Sequence, residues 1–272
     1  MKYIELSLEQ IEELLTQKKI PFDTVGFYDH ENFIKEERKD PEFLEIYAAY
    51  VNKRNYSEQY LTQAEQIIQQ VSNIFSDSME TIGRLGACVD VSTAISRVLD
   101  RLGVWNCVIK GCLTICYPSK ANLPNSYFWA FDRRSFEAPH AWVYAPPFNV
   151  VDLTVKHQKF DKNHSDYLPN CLLAKTQAKA VPQVADIYNH QMMQTVAMHE
   201  INKHFNEVTN LQKYIYSTEH VIDGVTFKYI PLAIGASECP LEKTQNIKFE
   251  GLYPYEFFKK NIFNKVPSVN NN

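Results

Sequence analysis

The sequence predicts an α+β protein, and three of its patterns carry that prediction. Apolar residues recur at three- and four-residue steps through much of residues 1–102; β-branched and alternating runs occupy much of 104–155; and the turn pair Asp223–Gly224 sits between alternating residues. At 272 residues and 45% hydrophobic, the chain is long enough to bury a full-sized core.

Ser7 and Gln10 have capping-box spacing and open a helix over about Leu8 to Lys18, with Ile11, Leu14 and Leu15 as its apolar stripe. A loop follows from Pro21 to Asp29. Further helices are expected at about Pro41–Lys53 and Ser57–Phe75, the second carrying Leu61, Ala64, Ile67, Ile68, Val71 and Ile74 at helical spacing. Residues 1–80 therefore read as a helical region packed on a later core. They carry no chemistry of their own.

The stretch Ile82–Gly111 organises the rest. It holds Gly83, Gly86, Gly103 and Gly111, four of eight glycines in a chain that uses this residue well below the ordinary ~7%. After Cys88, the residues Val91, Ala94, Ile95, Val98, Leu99 and Leu102 describe one buried helical stripe that Gly103 closes. Cys88 thus falls in the helix's first turn, where free amide N–H groups and the positive end of the helix dipole favour a thiolate. Gly83 and Gly86 leave room for a substrate backbone to pass.

Val104–Tyr117 reads as a strand bent at Gly111. A loop at Pro118–Pro124, an aromatic segment at 127–131 and a charged loop at 132–139 follow. In that last loop Asp132, Arg133 and Arg134 form a solvated run close enough to His140 to meet an acidic substrate. Two strands, 140–145 and 149–155, flank Pro146–Pro147. The C-terminal third is expected to hold a long, partly amphipathic helical stretch from about Gln183 to Tyr214, a hairpin over Glu219–Ile230 and a frayed tail at 266–272.

His140 and Asp152 are mirror positions about residue 146, so the hairpin sets them opposite each other. Parity places His140, Trp142, Tyr144, Asp152 and Thr154 on one face, and Ala141, Val143, Ala145, Val151, Leu153 and Val155 on the apolar other. Laying the apolar face on a helix lets His140 turn its second nitrogen to Cys88. A nucleophile, a base and an orienter are the three parts that acyl-transfer chemistry needs. Gly86, Trp105, Trp129 and Trp142 are the candidates for lining the substrate groove.

This order of residues resembles the transglutaminase-like superfamily of papain-fold cysteine enzymes. In that family a Cys at a helix N-terminus precedes a His-Ala-Trp strand and a Val-Asp-x-Thr strand, matched here by Cys88, His140–Ala141–Trp142 and Val151–Asp152–Leu153–Thr154. The resemblance covers about Gly83 to Val155 and implies Cys88 as nucleophile, His140 as general base and then acid, and Asp152 as orienter. It also implies a papain-like core: the Cys-bearing helix on a small antiparallel sheet, with helical additions before and after. The chain is then divided as 1–80 helical region, 81–156 catalytic core and 157–272 helical extension with a hairpin, all in one globular unit. The implied activity is amide hydrolysis or acyl transfer through a Cys88 thioester, as in proteases, deamidases or transglutaminases, on a protein or peptide and without a cofactor. The alternatives are a catalytically silent papain-like module that binds a protein partner, and an enzyme similar to the arylamine N-acetyltransferases. The Arg-Gly-Gly approach of those transferases is only loosely echoed by Gly83–Arg84–Leu85–Gly86.

A net charge of −4 offers no footprint for nucleic acid or an anionic membrane, and neither partner is expected. Glu5, Glu9, Glu12 and Glu13 interrupt any N-terminal signal, and six cysteines without paired spacing fit a reducing compartment, so a cytoplasmic location is expected. His199 and His204 lie five residues apart, about 140° around a helix, which does not suit the zinc-protease motif. Cys107, Cys112, Cys116 and Cys171 are likewise read as buried strand thiols and not as zinc ligands.

Overall fold

The structure is a computed structural model that describes residues 3–131, 139–160, 163–175, 178–235 and 239–269. The charged run at Asp132–Arg134 lies outside the described residues.

The N-terminal helices begin where side chains supply the partners that helix ends lack. Ser7 Oγ accepts the Gln10 N–H at 3.3 Å while Gln10 Oε1 accepts the Ser7 N–H at 2.8 Å, which opens α1 (Leu8–Gln17). His30 caps α2 (Glu31–Glu37), a helix too short to announce itself by periodicity. A 3-10 turn at Pro41–Leu44 leads into α3 (Glu45–Lys53), and Ser57 caps α4 (Glu58–Ser78). Next comes α5 (Cys88–Arg101), whose stripe from Val91 to Leu102 is buried throughout and which Gly103 ends with a φ of +76°.

The strands are β1 (Cys107–Cys116), β2 (Ser126–Phe128), β3 (His140–Ala145), β4 (Phe148–Asp152), β5 (Leu172–Ala174), β6 (Ala178–Lys179), β7 (Thr218–Ile222) and β8 (Val225–Gly235). They form one antiparallel sheet in the order β5-β4-β3-β1-β8-β7-β6, with β2 paired to β1. The fold is thus α+β. The expectation of a small sheet with a mainly helical C-terminal extension is corrected, because β5 to β8 all come from beyond residue 156. β8 sits beside the central strand β1 because β7 and β8 turn tightly at Asp223 and Gly224, both at positive φ, and offer β1 a long apolar partner.

Each face of the sheet is covered. Ile109, Leu113, Trp142, Phe227 and Tyr229 meet α1, α3 and the aromatic residues Phe27, Phe33, Tyr47 and Tyr50. On the other face Val108, Ala141, Val143, Ala145, Val151 and Leu153 pack on α4 and α5. The apolar side of the β3–β4 hairpin therefore lies on α5 as its pattern demands, except that Val155 joins the opposite cluster.

Two further expectations are corrected. The stretch from Gln183 to Tyr214 is not one helix but α6 (Val184–Ile187), α7 (His190–Thr195), α8 (Met198–Val208) and a 3-10 turn at Thr209–Lys213. Tyr188 is extended and bridges Phe131, Asn189 recaps the chain by accepting the Met192 N–H at 2.7 Å, and Val196 is extended again. The tail is anchored as far as Val269, which is buried and donates its N–H to Leu102 O at 2.9 Å after α9 (Pro254–Asn261). Among the described residues, no helix is long and apolar enough to cross a membrane.

Candidate active site

Cys88 opens α5 behind Ala87, which offers no side-chain cap, so the first-turn amides and the helix dipole act on the thiol without competition from a capping oxygen. The approach to it is fixed at Gly86, whose φ is +74° and whose N–H donates to His157 O at 2.9 Å. Lys159 reaches to within 3.9 Å of where a Gly86 Cβ would stand.

His140 begins β3, paired with Gly111 of β1. A Cβ at Gly111 would run into Ile230 O on β8 and stand 3.0 Å from Trp142 Cη2, so only glycine fits beside His140 at this bulged crossing. The hairpin does not mirror about residue 146 as its sequence suggests. Val143 pairs with Val151 and Ala145 with Phe148, a slip that sets Asp152 across from Trp142 and diagonal to His140. Parity survives the slip, and the two side chains still meet: His140 Nε2 lies 2.6 Å from Asp152 Oδ2.

A buried carboxylate needs several donors, and Asp152 has them. Oδ2 also accepts the Tyr229 hydroxyl at 2.8 Å, while Oδ1 accepts the Thr154 backbone N–H at 2.7 Å and the Thr154 hydroxyl at 2.8 Å. Burial alone would raise the Asp152 carboxyl, but the His140 charge and hydrogen bond, together with Thr154, hold it below its ordinary range. An ionised Asp152 can only accept, so Nε2 keeps its proton and Nδ1 is the nitrogen left to exchange one with Cys88. Burial would lower His140; the Asp152 charge and hydrogen bond, with Cys88 behind them, outweigh it and raise the ring to about 10.

His140 Nδ1 makes no hydrogen bond of normal geometry, yet Cys88 is close enough for its sulfur to respond to the ring's proton and charge. Such contacts are commonly loose until a substrate aligns them. Burial pushes the Cys88 thiol up, but the adjacent His140 ring and its charge, with the Ala141 backbone N–H, pull it below its ordinary value. Four other thiols show what happens where burial is the largest influence: Cys107 and Cys116 are raised, and Cys112 and Cys171 are pushed up to about 12. Cys88 departs from this set because it has an imidazole beside it.

The structure thus brings Cys88, His140 and Asp152 together. Trp142, 2% exposed, stacks beside His140 with ring centroids 6.2 Å apart and supports the triad from within the core. Trp105 is not part of this site: it sits past the far end of α5, in the aromatic cluster with Phe27, Tyr47 and Tyr50. Trp129 is half-buried against Tyr127 and donates its indole N–H to Ala185 O at 2.9 Å, away from the triad's own contacts. The aromatic neighbour that sequence reasoning missed is Phe128, its ring 5.7 Å from His140 and 5.8 Å from Phe160. Tyr229 was also missed. Its alternation within β8 marks it as facing the Trp142 side, but only the pairing of β8 with β1 brings its hydroxyl to Asp152.

No group of three or more His, Cys, Asp or Glu side chains among the described residues is placed to hold a metal ion. His204 Nδ1 instead hydrogen-bonds the Tyr188 hydroxyl at 2.7 Å. Comparison of the chain with protein-family models, curated proteins and solved structures finds no match.

Proposed function

We propose that the protein is a cysteine-dependent amide hydrolase or acyltransferase with a transglutaminase-like, papain-fold core, working through a Cys88 thioester. The observation that carries the reading is geometric: a thiol in the first turn of α5 beside an imidazole whose Nε2 is fixed 2.6 Å from a carboxylate that Thr154 and Tyr229 also hydrogen-bond. Cys88 passes its thiol proton to His140 Nδ1, Sγ attacks the carbonyl carbon of an amide, and the C=O electron pair moves to oxygen. The Cys88 backbone N–H at the start of α5 faces that charge. As the tetrahedral adduct collapses, the C–N bond breaks and His140 Nδ1 gives its proton to the leaving amine. Water or an acceptor amine then attacks the thioester, losing a proton to His140, and the thiolate departs.

A second reading has one observation in its favour: Cys88 is only 5% exposed. On that reading the triad is an inherited frame and the protein is a silent partner-binding module. Intact-mass analysis after incubation with an amide-mimicking electrophile at neutral pH separates the two. The enzyme gains one adduct that Cys88→Ala abolishes and His140→Ala slows, whereas equal labelling of the folded wild type and Cys88→Ala removes the case for catalysis.

A further inference from the structure

We infer that a second site lies at the opposite end of α5 from Cys88: a cavity of about 280 Å³ built on Arg54 that binds a carboxylate group. Arg54 follows the last residue of α3, and its guanidinium carbon lies over Trp105, 4.0 Å from the ring centroid, with Tyr56 at 5.3 Å and Tyr50 at 5.4 Å. The cage itself is fixed. Trp105 donates its backbone N–H to the Tyr60 hydroxyl at 2.8 Å, and Tyr60 stacks on Tyr56 at 4.9 Å.

What this arrangement leaves out points to a ligand. Among the described residues the guanidinium makes no hydrogen bond and no ion pair, and its Nε and Nη1 are buried without a partner. By contrast, the buried Arg97 uses Nη1 and Nη2 on Asp29 at 2.7 and 3.0 Å and Nε on Cys239 O at 3.0 Å. A cation pre-set by ring faces, with its donor edge unspent, is suited to a planar two-oxygen acceptor. The rest of the cavity agrees. Ser57, Gln59 and Gln63 line it, and the first two belong to the N-terminus of the 21-residue α4, where Ser57 Oγ already accepts the Tyr60 N–H at 3.1 Å but the amides of Glu58 and Gln59 lack intrahelical partners and the dipole favours an anion.

Asp23 also lines the cavity. Its negative charge disfavours a doubly charged phosphate and leaves the singly charged carboxylate as the class that fits. A free small carboxylate and the C-terminal carboxylate of a peptide present the same group. Trp105, which the sequence suggests as a wall of the catalytic groove, is on this reading the platform of a separate pocket.

The test follows the Trp105 indole NMR signal, assigned by its loss in Trp105→Phe, during titration with four probes: N-acetylglycine, a short peptide with a free C-terminus, the same peptide amidated, and inorganic phosphate. A saturable shift is expected with the two free carboxylates and not with the amide. Tighter binding of the acid peptide than of N-acetylglycine identifies a chain terminus as the source, and equal binding identifies a small carboxylate. Arg54→Gln is expected to weaken binding about tenfold or more. Arg54→Lys, which keeps the charge and loses the fork, replaces it if the glutamine variant does not hold its fold. The proposal is overturned if no probe gives a saturable shift, if the amide or phosphate binds as well as the acids, or if the Arg54 variants bind unchanged. Cys88→Ala is expected to bind as wild type does, so failure of the catalytic reading leaves this test intact.

Discussion

Tyr229 and His140 converge on a single oxygen of Asp152, the hydroxyl at 2.8 Å and the ring nitrogen at 2.6 Å. The two donors come from β8 and β3, strands separated in the sheet by β1, so the carboxylate ties three parts of the chain together.

Removing the hydroxyl tests that tie. Tyr229→Phe deletes a donor to a buried charge and is expected to cost about 1.5–3 kcal/mol. Asp152 is depressed below its ordinary 3.8 in the folded state, so its contribution is present above that value and is lost as pH falls through the folded pKa. Losing Tyr229 raises the folded pKa. Urea unfolding is thus expected to show the deficit in full at about pH 7 and a smaller one at about pH 3.

Gly111→Ala tests the crossing beneath His140. The added methyl meets Ile230 O, which is backbone in a paired strand and cannot rotate away. A loss at or above the top of the usual ~1–3 kcal/mol for overpacking is expected, read as a fall in thermal midpoint, with slower labelling of Cys88 in the surviving folded protein.

Arg97→Met tests a charge cluster at the far end of α5. Arg97 is 3% exposed and pairs with Asp29 at 2.7 Å and Asp100 at 3.6 Å, while Tyr28 donates to Asp100 at 2.6 Å. Burial raises Asp100, and the Tyr28 hydrogen bond and Arg97 charge limit the rise to about 6. A folded pKa above the ordinary 3.8 means that stability is fully present below that value and declines as pH climbs through about 6. Without Arg97 the pKa goes higher. The variant is expected to lose about 3–5 kcal/mol near neutral pH and less at about pH 5 in denaturant unfolding.

The sequence made local features legible and left distant ones hidden. The Val91–Leu102 stripe, the Ser7–Gln10 box and the β3 boundaries could be read because each is decided by residues a few positions apart. The His140–Asp152 pairing was found although its register was two residues off, since the slip of the hairpin preserves which face each side chain takes. Tyr229 could not be found, because its role depends on β8 pairing with β1 across more than a hundred intervening residues. The helix expected over Gln183–Tyr214 failed for the opposite reason. Its period was right, but the Phe131–Tyr188 bridge and the Asn189 cap broke it into pieces. Tryptophan type alone misplaced Trp105, which packs where Arg54 and the N-terminal aromatic residues need a flat partner.

The proposed activation of Cys88 is tested most directly by the pH dependence of its alkylation with iodoacetamide, followed by mass in the folded wild type and in His140→Ala. The wild-type rate is expected to rise through a midpoint below 9.0, since His140 overcomes the effect of burial. In His140→Ala, burial and the Asp152 charge remain without their counterweight, so the midpoint should lie above 9.0. The same midpoint in both proteins would contradict the account.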